Sequence, residues 1–207
     1  MFTRRKFFQK TLIATAMAVL FQPSAFAAET KEQAALTMVK GIGDEAVATL
    51  ADKSLSEEQK QDRFETFLDS SFDMKRIGRF VLGQYWRDAT SAEQTEFLKV
   101  FRDYMVTSYA EKIGSYSGEN LEIKDATSLN DKESLVHSVI VRPSGPPIKL
   151  DWRVRKTNDG EKIVDVIIEG ISMAQTHRSE FASVVSQSGV DGLIKKLEEQ
   201  IKTASSS

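Results

Sequence analysis

The sequence predicts an α+β fold in which a curved antiparallel sheet of about four strands is covered by N-terminal and C-terminal helices. Apolar residues recur at three- and four-residue steps in the N-terminal half and again near the C-terminus, which is typical of amphipathic helices. After Gly118 the period changes to two, which is typical of strands. Helices first, sheet second and helices last is the order of an α+β domain.

Four helices are predicted in the N-terminal half. Asp73 is a candidate N-cap of the third helix and Gly83 its candidate stop, while Thr90-Ser91-Ala92-Glu93 fits a capping box that opens the fourth. The predicted helical segments are Glu29 to Leu50, a short segment with Phe64, Phe67 and Leu68, Met74 to Leu82, and a helix from this box to about Ser115.

Four strands joined by short turns are predicted next, so the sheet is expected to be an antiparallel meander. The strands are Leu121 to Ala126, Ser134 to Arg142, Ile148 to Arg155 and Glu161 to Glu169. In the third strand the apolar side chains alternate with charged ones, which predicts one dry and one wet face. In the fourth, Val164, Val166 and Ile168 are expected to share one apolar face.

The fourth strand turns directly into a helix. Gly170 removes a side chain where the backbone bends, and Ser172 is a candidate N-cap for the segment that follows. This helix leads to Gly189, after which Leu193, Leu197 and Ile201 predict a last amphipathic helix.

The N-terminus has the pattern of a secretory signal peptide. Basic residues precede an apolar run from Leu12 to Phe21, and Ala25-Phe26-Ala27 is a small-residue cleavage site. This run is too short for the ~20 residues of a membrane span. We therefore expect cleavage after Ala27, a single domain at residues 28–202, a flexible tail at residues 203–207, and export to the periplasm. Because Arg4-Arg5 fits either signal, the Sec and twin-arginine routes both stay open.

Composition excludes several classes of function. Cleavage would leave 24 basic and 30 acidic residues, a net charge of −6, which argues against nucleic-acid binding. The chain has no cysteine, so disulfides, thiolate chemistry and a lipid anchor on cysteine are excluded.

Candidate catalytic groups are few. Asp165 and Glu169 share a strand face but are separated by about 13 Å along it, too far for a carboxylate pair that needs roughly 5 to 9.5 Å. We expect them to accept hydrogen bonds from backbone groups or to pair with arginine at the strand–helix junction. His137 and His177 lack a partner at ligand spacing, so no metal and no cofactor are predicted. A buried Asp165 acting with Tyr104 or Tyr109 stays open as an enzymatic alternative.

Two groups of motifs resemble one known family. The C-terminal group is Asp165-Val166, Glu169-Gly170-Ile171-Ser172 and Arg178-x-Glu180-Phe181, and the N-terminal group is Phe72-Asp73, Ile77, Phe80-Val81-Leu82-Gly83, Tyr85-Trp86-Arg87 and Tyr109-Ala110. In their order and spacing they are similar to the MlaC, or toluene-tolerance, family of periplasmic phospholipid-binding proteins. The resemblance spans about Glu32 to Lys202.

The resemblance implies a cone-like fold, akin to nuclear-transport-factor-like proteins, with a cavity between the helices and the sheet. It implies a phospholipid carrier, not an enzyme, that shuttles lipid between an outer-membrane lipoprotein–porin complex and an inner-membrane transporter with MCE domains. A monomer is expected. A periplasmic protein-binding or chaperone-like module and a cone-fold enzyme are the alternatives.

A lipid cavity would be lined by residues that otherwise form core. The residues expected to line it are Phe80, Val81, Tyr104, Tyr109, Val139, Leu150, Trp152, Val166 and Ile168. Arg87 and Arg178 lie in the matching motifs beside aromatic or apolar residues, so either is a candidate for the headgroup phosphate. The alternative for these arginines is a structural ion pair with Asp165 or Glu169.

Overall fold

The structure is a computed structural model that describes residues 29–114 and 116–204. The predicted signal peptide, residues 1–27, lies outside the described residues, and so do residues 205–207 of the predicted tail. Within the described part, the elements are α1 (Lys31–Ala51), α2 (Glu57–Ser71), α3 (Met74–Leu82), α4 (Tyr85–Asp88), α5 (Ser91–Gly114), β1 (Asn120–Asn130), β2 (Glu133–Val141), β3 (Ile148–Thr157), β4 (Gly160–Ile168), β5 (Ile171–Ser172) and α6 (Met173–Ala204).

The helix boundaries follow from side-chain caps. Asp73 accepts a hydrogen bond from the backbone N–H of Arg76 at 3.0 Å, and Gly83 ends α3 with φ +61°. Thr90 and Glu93 form the predicted capping box, because the carboxylate accepts from the Thr90 N–H at 2.7 Å while the Thr90 hydroxyl accepts from the Glu93 N–H at 3.2 Å. These predictions are confirmed. The four-residue α4 was not predicted.

The sheet is an antiparallel meander in the order β1-β2-β3-β4-β5. The four predicted strands are confirmed. The fifth, β5, pairs back onto the end of β4 through a tight turn at Glu169 and Gly170, both of which have positive φ, +50° and +81°. With two residues, β5 is too short to produce an alternating pattern, so the sequence did not reveal it.

A β-bulge in β4 changes which side chains face the helices. Arg153 pairs with Asp165 and Val154 with Ile163, so Val164 is the extra residue. Ile163 therefore shares the apolar face with Val166 and Ile168. The expectation that Val164 lies on that face is wrong, because strict alternation fails where the ladder slips by one residue.

Two apolar cores hold the helices. One lies between α1 and the sheet and includes the fully buried Val39, Val136 and Ile163. The other joins α3, α5 and α6 around Phe97 and Phe101, whose rings stack at 5.7 Å. α6 breaks at Gly189 (φ +72°), as predicted, and continues through Thr203 and Ala204, which the sequence assigns to the tail. Among the described helices, none combines the length and the apolar character that crossing a membrane requires.

Candidate functional site

Two apolar cavities lie between the helices and the sheet. The first, about 300 Å³, is bounded by α1, α2, the start of β1 and the middle strands. The second, about 230 Å³, lies between α2, α3, α5, α6 and the strands β3 and β4. Both cavities are lined by the same five residues, which form a shared wall: Phe64, Phe67, Tyr109, Leu150 and Trp152. The first cavity lies at the lower end of the 300–1,000 Å³ range of ligand pockets, and the second shares a wall with it.

The spacing of residues in α2 builds this shared wall. Phe64 and Phe67 are three residues apart on one helix face, and their ring centroids lie 5.9 Å from each other. Tyr109 of α5 approaches Phe64 with a centroid distance of 6.4 Å. Aromatic rings from two helices therefore form this wall together with Leu150 and Trp152 of the sheet.

Trp152 is oriented by a hydrogen bond within the sheet. Its indole Nε1 donates to the Ser138 hydroxyl at 3.0 Å, and that hydroxyl donates to the Leu150 carbonyl oxygen at 2.5 Å. The polar edge of the indole is thereby satisfied inside the sheet. The apolar ring is left as a wall of both cavities.

Asp165 and Glu169 have structural partners. The Asp165 carboxylate accepts hydrogen bonds from the Ser172 hydroxyl at 2.6 Å and from the Ala174 N–H at 3.0 Å, at the first turn of α6. Glu169 accepts from the Lys149 N–H at 2.5 Å. Asp165 thus accepts hydrogen bonds at the strand–helix junction and Glu169 accepts one from the backbone of β3, which agrees with the expected bonds to backbone groups. Ser172 is confirmed as the N-cap, since its hydroxyl accepts from the Gln175 N–H at 3.0 Å.

Five of the nine residues expected at a lipid cavity line the two cavities. Tyr109, Leu150 and Trp152 lie in the shared wall, while Val166 and Ile168 line the second cavity. Burial raises the pKa of the Tyr109 phenol above its ordinary value, and the neighbouring Tyr104 adds to the shift.

The other four expected residues lie elsewhere. Val139 pairs with Lys149 on the opposite face of the sheet, because it is one residue out of phase with Ser138 and Ile140. Val81 and Tyr104 pack in the core of α3, α5 and α6. Phe80 is 41% exposed on α3. We therefore leave these four residues out of the proposed site.

The two arginines also lie away from the cavities. The Arg178 guanidinium carbon is 4.9 Å from the Phe80 ring centroid, and its Nη1 donates to the Phe80 carbonyl oxygen at 3.3 Å. Arg178 thus contacts the C-terminal end of α3, and among the described residues it forms no ion pair with Asp165 or Glu169. Arg87 is exposed on α4.

Sequence reasoning missed the contribution of α1 and α2 to the cavities. Ile42, Ala46 and Leu50 of α1 line the first cavity, and Phe64 and Phe67 of α2 line both. Their helical spacing was visible in the sequence, but it indicates burial without telling a filled core from a hollow one.

A larger groove, about 670 Å³, lies on the polar side of α3 and the sheet. Its charges are largely paired, since Arg76 contacts Asp73 at 3.0 Å and Arg153 contacts Glu133 at 2.5 Å. Among the described residues, no group of three His, Asp or Glu side chains is arranged to hold a metal ion. The apolar cavities are therefore the best candidate for a ligand site.

This fold and these cavities define a class: a small α+β protein with an apolar ligand-sized space between its helices and a curved antiparallel sheet. The sequence model of the MlaC protein family matches residues 40–199. The chain belongs to the MlaC family.

Among the known proteins that are similar to this chain, two have names that state a ligand class. The intermembrane phospholipid transport system binding protein MlaC of Haemophilus influenzae is 31% identical over 132 residues, which cover 61% of this chain and 61% of that protein. The chain therefore matches less than two thirds of that relative's length. A phospholipid-binding protein from Ralstonia solanacearum, solved in complex with a phospholipid, has a TM-score of 0.73 and 26% identity, covering 83% of this chain and 98% of that one.

Proposed function

We propose that this protein is a periplasmic phospholipid carrier that holds acyl chains in the two apolar cavities. The observation that carries the proposal is the pair of apolar cavities, of about 300 and 230 Å³, that lie between the helices and the sheet and share one wall. The names of the two similar proteins, one a phospholipid transport binding protein and one a phospholipid-binding protein with its lipid, support the same ligand.

A carrier has a physical purpose because acyl chains cannot cross water at useful rates. Moving two acyl chains of about 16 carbons from an apolar environment into water costs roughly 25 kcal/mol of free energy, at about 0.8 kcal/mol per CH₂. A protein that covers part of each chain with Trp152, Phe64 and Phe67 removes much of this cost. No covalent step is required, so we propose binding and release without catalysis.

The proposed route of lipid runs between the two membranes. As donor and acceptor we propose an inner-membrane transporter with MCE domains and an outer-membrane lipoprotein–porin complex, both implied by family membership. The predicted signal peptide supports a periplasmic location, and a net charge of −6 after cleavage disfavours nucleic-acid partners.

The test is the lipid content of the purified protein. The chain is expressed from its full sequence, purified without detergent and denatured, and the organic extract is analysed by mass spectrometry. We expect phospholipid at a fixed molar ratio to protein. An extract without phospholipid would contradict the proposal.

Matched variants test the location of the acyl chains. Trp152→Asp and Val166→Asp each place a charge on the cavity face, so we expect loss of lipid. Val139→Asp places the same charge on the opposite face beside Lys149, so its lipid content is expected to stay at the level of the unaltered protein. Circular dichroism verifies folding of each variant. Equal lipid in folded Trp152→Asp, Val166→Asp and Val139→Asp would exclude this face of the sheet.

A further inference from the structure

The two cavities differ in charge. The first cavity has four charged side chains along its lining, a set that we call the charged rim: Glu45, Lys60, Arg63 and Glu119. They come from α1, from α2 and from the segment before β1. The second cavity has Asp165, whose carboxylate already accepts two hydrogen bonds, and His177. The polar end of an amphipathic ligand therefore fits the first cavity.

The order of residues along α2 matches the order of groups in a phospholipid. Lys60, Arg63, Phe64 and Phe67 all line the first cavity, and their spacing places them on one helix face. The cations lie toward the start of the helix and the aromatic rings further along it. In a phospholipid the phosphate likewise precedes the apolar chains, with the glycerol and its ester groups between them.

Two members of the charged rim already have partners. The Lys60 ammonium contacts Glu57 at 3.2 Å, and its side chain is only 13% exposed, so its carbon stem packs along the cavity. Glu119 accepts hydrogen bonds from the Ser117 N–H at 2.8 Å and from its hydroxyl at 2.9 Å. These bonds, with its own backbone and that of Gly118, lower the pKa of the Glu119 carboxyl.

Arg63 and Glu45 are the members without an ion pair among the described residues. Asp52 lies near enough for the charges of Arg63 and Lys60 to help lower its pKa, but hydrogen bonds from Ser54 are the main cause. The first cavity thus has, on different helices, a guanidinium and a carboxylate that form no ion pair among the described residues. They are not within ion-pair distance of each other.

We infer that the charged rim is a subsite for a zwitterionic phospholipid headgroup, with the phosphate at Arg63 and Lys60 and the headgroup ammonium at Glu45. The inference rests on the proposed function and adds the class of phospholipid. Arg63 presents a planar fork of donors suited to phosphate oxygens. Because the rim is open to water, the preference is moderate: exposed ion pairs change an equilibrium by up to about fivefold.

The experiment measures lipid uptake from vesicles of equal parts phosphatidylethanolamine and phosphatidylglycerol. The protein is delipidated, incubated with vesicles and separated, and each bound lipid is quantified. We expect the unaltered protein to favour phosphatidylethanolamine by about two- to fivefold. Arg63→Gln should lower uptake of both lipids by a similar factor, since both contain the phosphate, whereas Glu45→Gln should bring the ratio of the two lipids close to one.

Lys53→Gln and Glu58→Gln are the controls, because both residues are exposed near the rim but line neither cavity. In both controls the lipid uptake and the ratio of the two lipids should equal those of the unaltered protein.

A competition experiment uses excess glycerophosphoethanolamine, which is the headgroup without acyl chains. It should leave lipid uptake unchanged; loss of uptake would overturn the inference in favour of a site for free phosphate esters. Lipid uptake with the same ratio and amount in Arg63→Gln and Glu45→Gln would overturn the inference alone. No uptake by the unaltered protein would instead overturn the proposed function.

Discussion

The indole Nε1 of Trp152 donates a 3.0 Å hydrogen bond to the hydroxyl of Ser138, its diagonal neighbour on the adjacent strand. Both side chains are buried, with Ser138 2% and Trp152 9% exposed. A tryptophan at a cavity wall has to satisfy its N–H without presenting it to the apolar space. Here the sheet supplies the acceptor, so the ring face is available to an apolar ligand.

Ser138→Ala is therefore expected to destabilise the protein. It leaves the indole N–H without a partner, which costs about 1–3 kcal/mol in the free energy of unfolding. Ser134 is the matched control, since it lies four residues away on the same strand face and its buried hydroxyl has no hydrogen-bond partner among the described residues. Ser134→Ala should be neutral or slightly stabilising. Urea denaturation measures both, and equal values for the two variants would contradict this role of Ser138.

Gly83→Ala is expected to weaken the end of α3. The backbone there has φ +61° and ψ −128°, and an added Cβ would lie 3.3 Å from the Arg178 guanidinium. We expect a loss of about 1–3 kcal/mol. Gly41→Ala, in the exposed middle of α1 with no atom within 4 Å of the new Cβ, should instead stabilise by about 0.5–1 kcal/mol. Thermal denaturation of both variants gives the comparison, and a stabilised Gly83→Ala protein would refute the prediction.

Asp165→Ala tests whether the Asp165 carboxylate stabilises the fold or contributes to lipid binding. Because Asp165 accepts from Ser172 and Ala174 at the start of α6, its removal should cost about 1–2 kcal/mol of stability, as for other lost helix caps. Asp165→Asn keeps one acceptor oxygen and should lose less. Lipid content per folded protein should be unchanged in both variants, as judged by extraction and mass spectrometry. Loss of lipid from a stably folded Asp165→Asn protein would contradict a purely structural role.

The parts of the fold that sequence predicted correctly are those fixed by local chemistry. Asp73, Thr90 and Ser172 cap helices because their side-chain oxygens reach backbone N–H groups three residues further on. The alternation of Leu150, Trp152 and Val154 likewise needed only the period of a strand. Such signals depend on neighbours in the chain and need no knowledge of tertiary packing.

The parts that were missed depend on contacts between distant segments. The bulge at Val164 arises in the pairing of β3 with β4. Val139 lies on the same face of the sheet as His137 and Asp151, which pair with each other, and this is the face opposite the cavities. The packing of Arg178 on Phe80 likewise joins residues 98 positions apart in the chain. The hollow between α2 and the sheet is equally invisible, because a periodic apolar face is the same whether it meets side chains or space.

On the polar side of the sheet, one carboxylate binds two arginines. Glu133 is buried, and its two oxygens contact Arg153 and Arg155, each at 2.5 Å. Burial by itself would raise the pKa of the Glu133 carboxyl, but the two arginines and the amide of Asn130 outweigh it, so the pKa is lowered. This cluster joins β2 to β3 on the face away from the cavities.

Glu133→Gln is expected to lower stability in a pH-dependent way. Because the folded pKa lies below the unfolded value of about 4.5, the carboxylate contributes fully above that pH and loses its contribution as pH falls through the folded pKa. Arg153 is 43% exposed, so we expect about 1–3 kcal/mol at pH 7, less than for a fully buried pair. Urea denaturation from neutral to acidic pH should show that the difference in the free energy of unfolding between Glu133→Gln and the unaltered protein shrinks below about pH 4.5.

Glu58→Gln is the exposed control, and its free energy of unfolding should differ from that of the unaltered protein by no more than about 0.5 kcal/mol at any pH. A Glu133→Gln difference that stays constant into acid would mean that the ion pairs are not its cause.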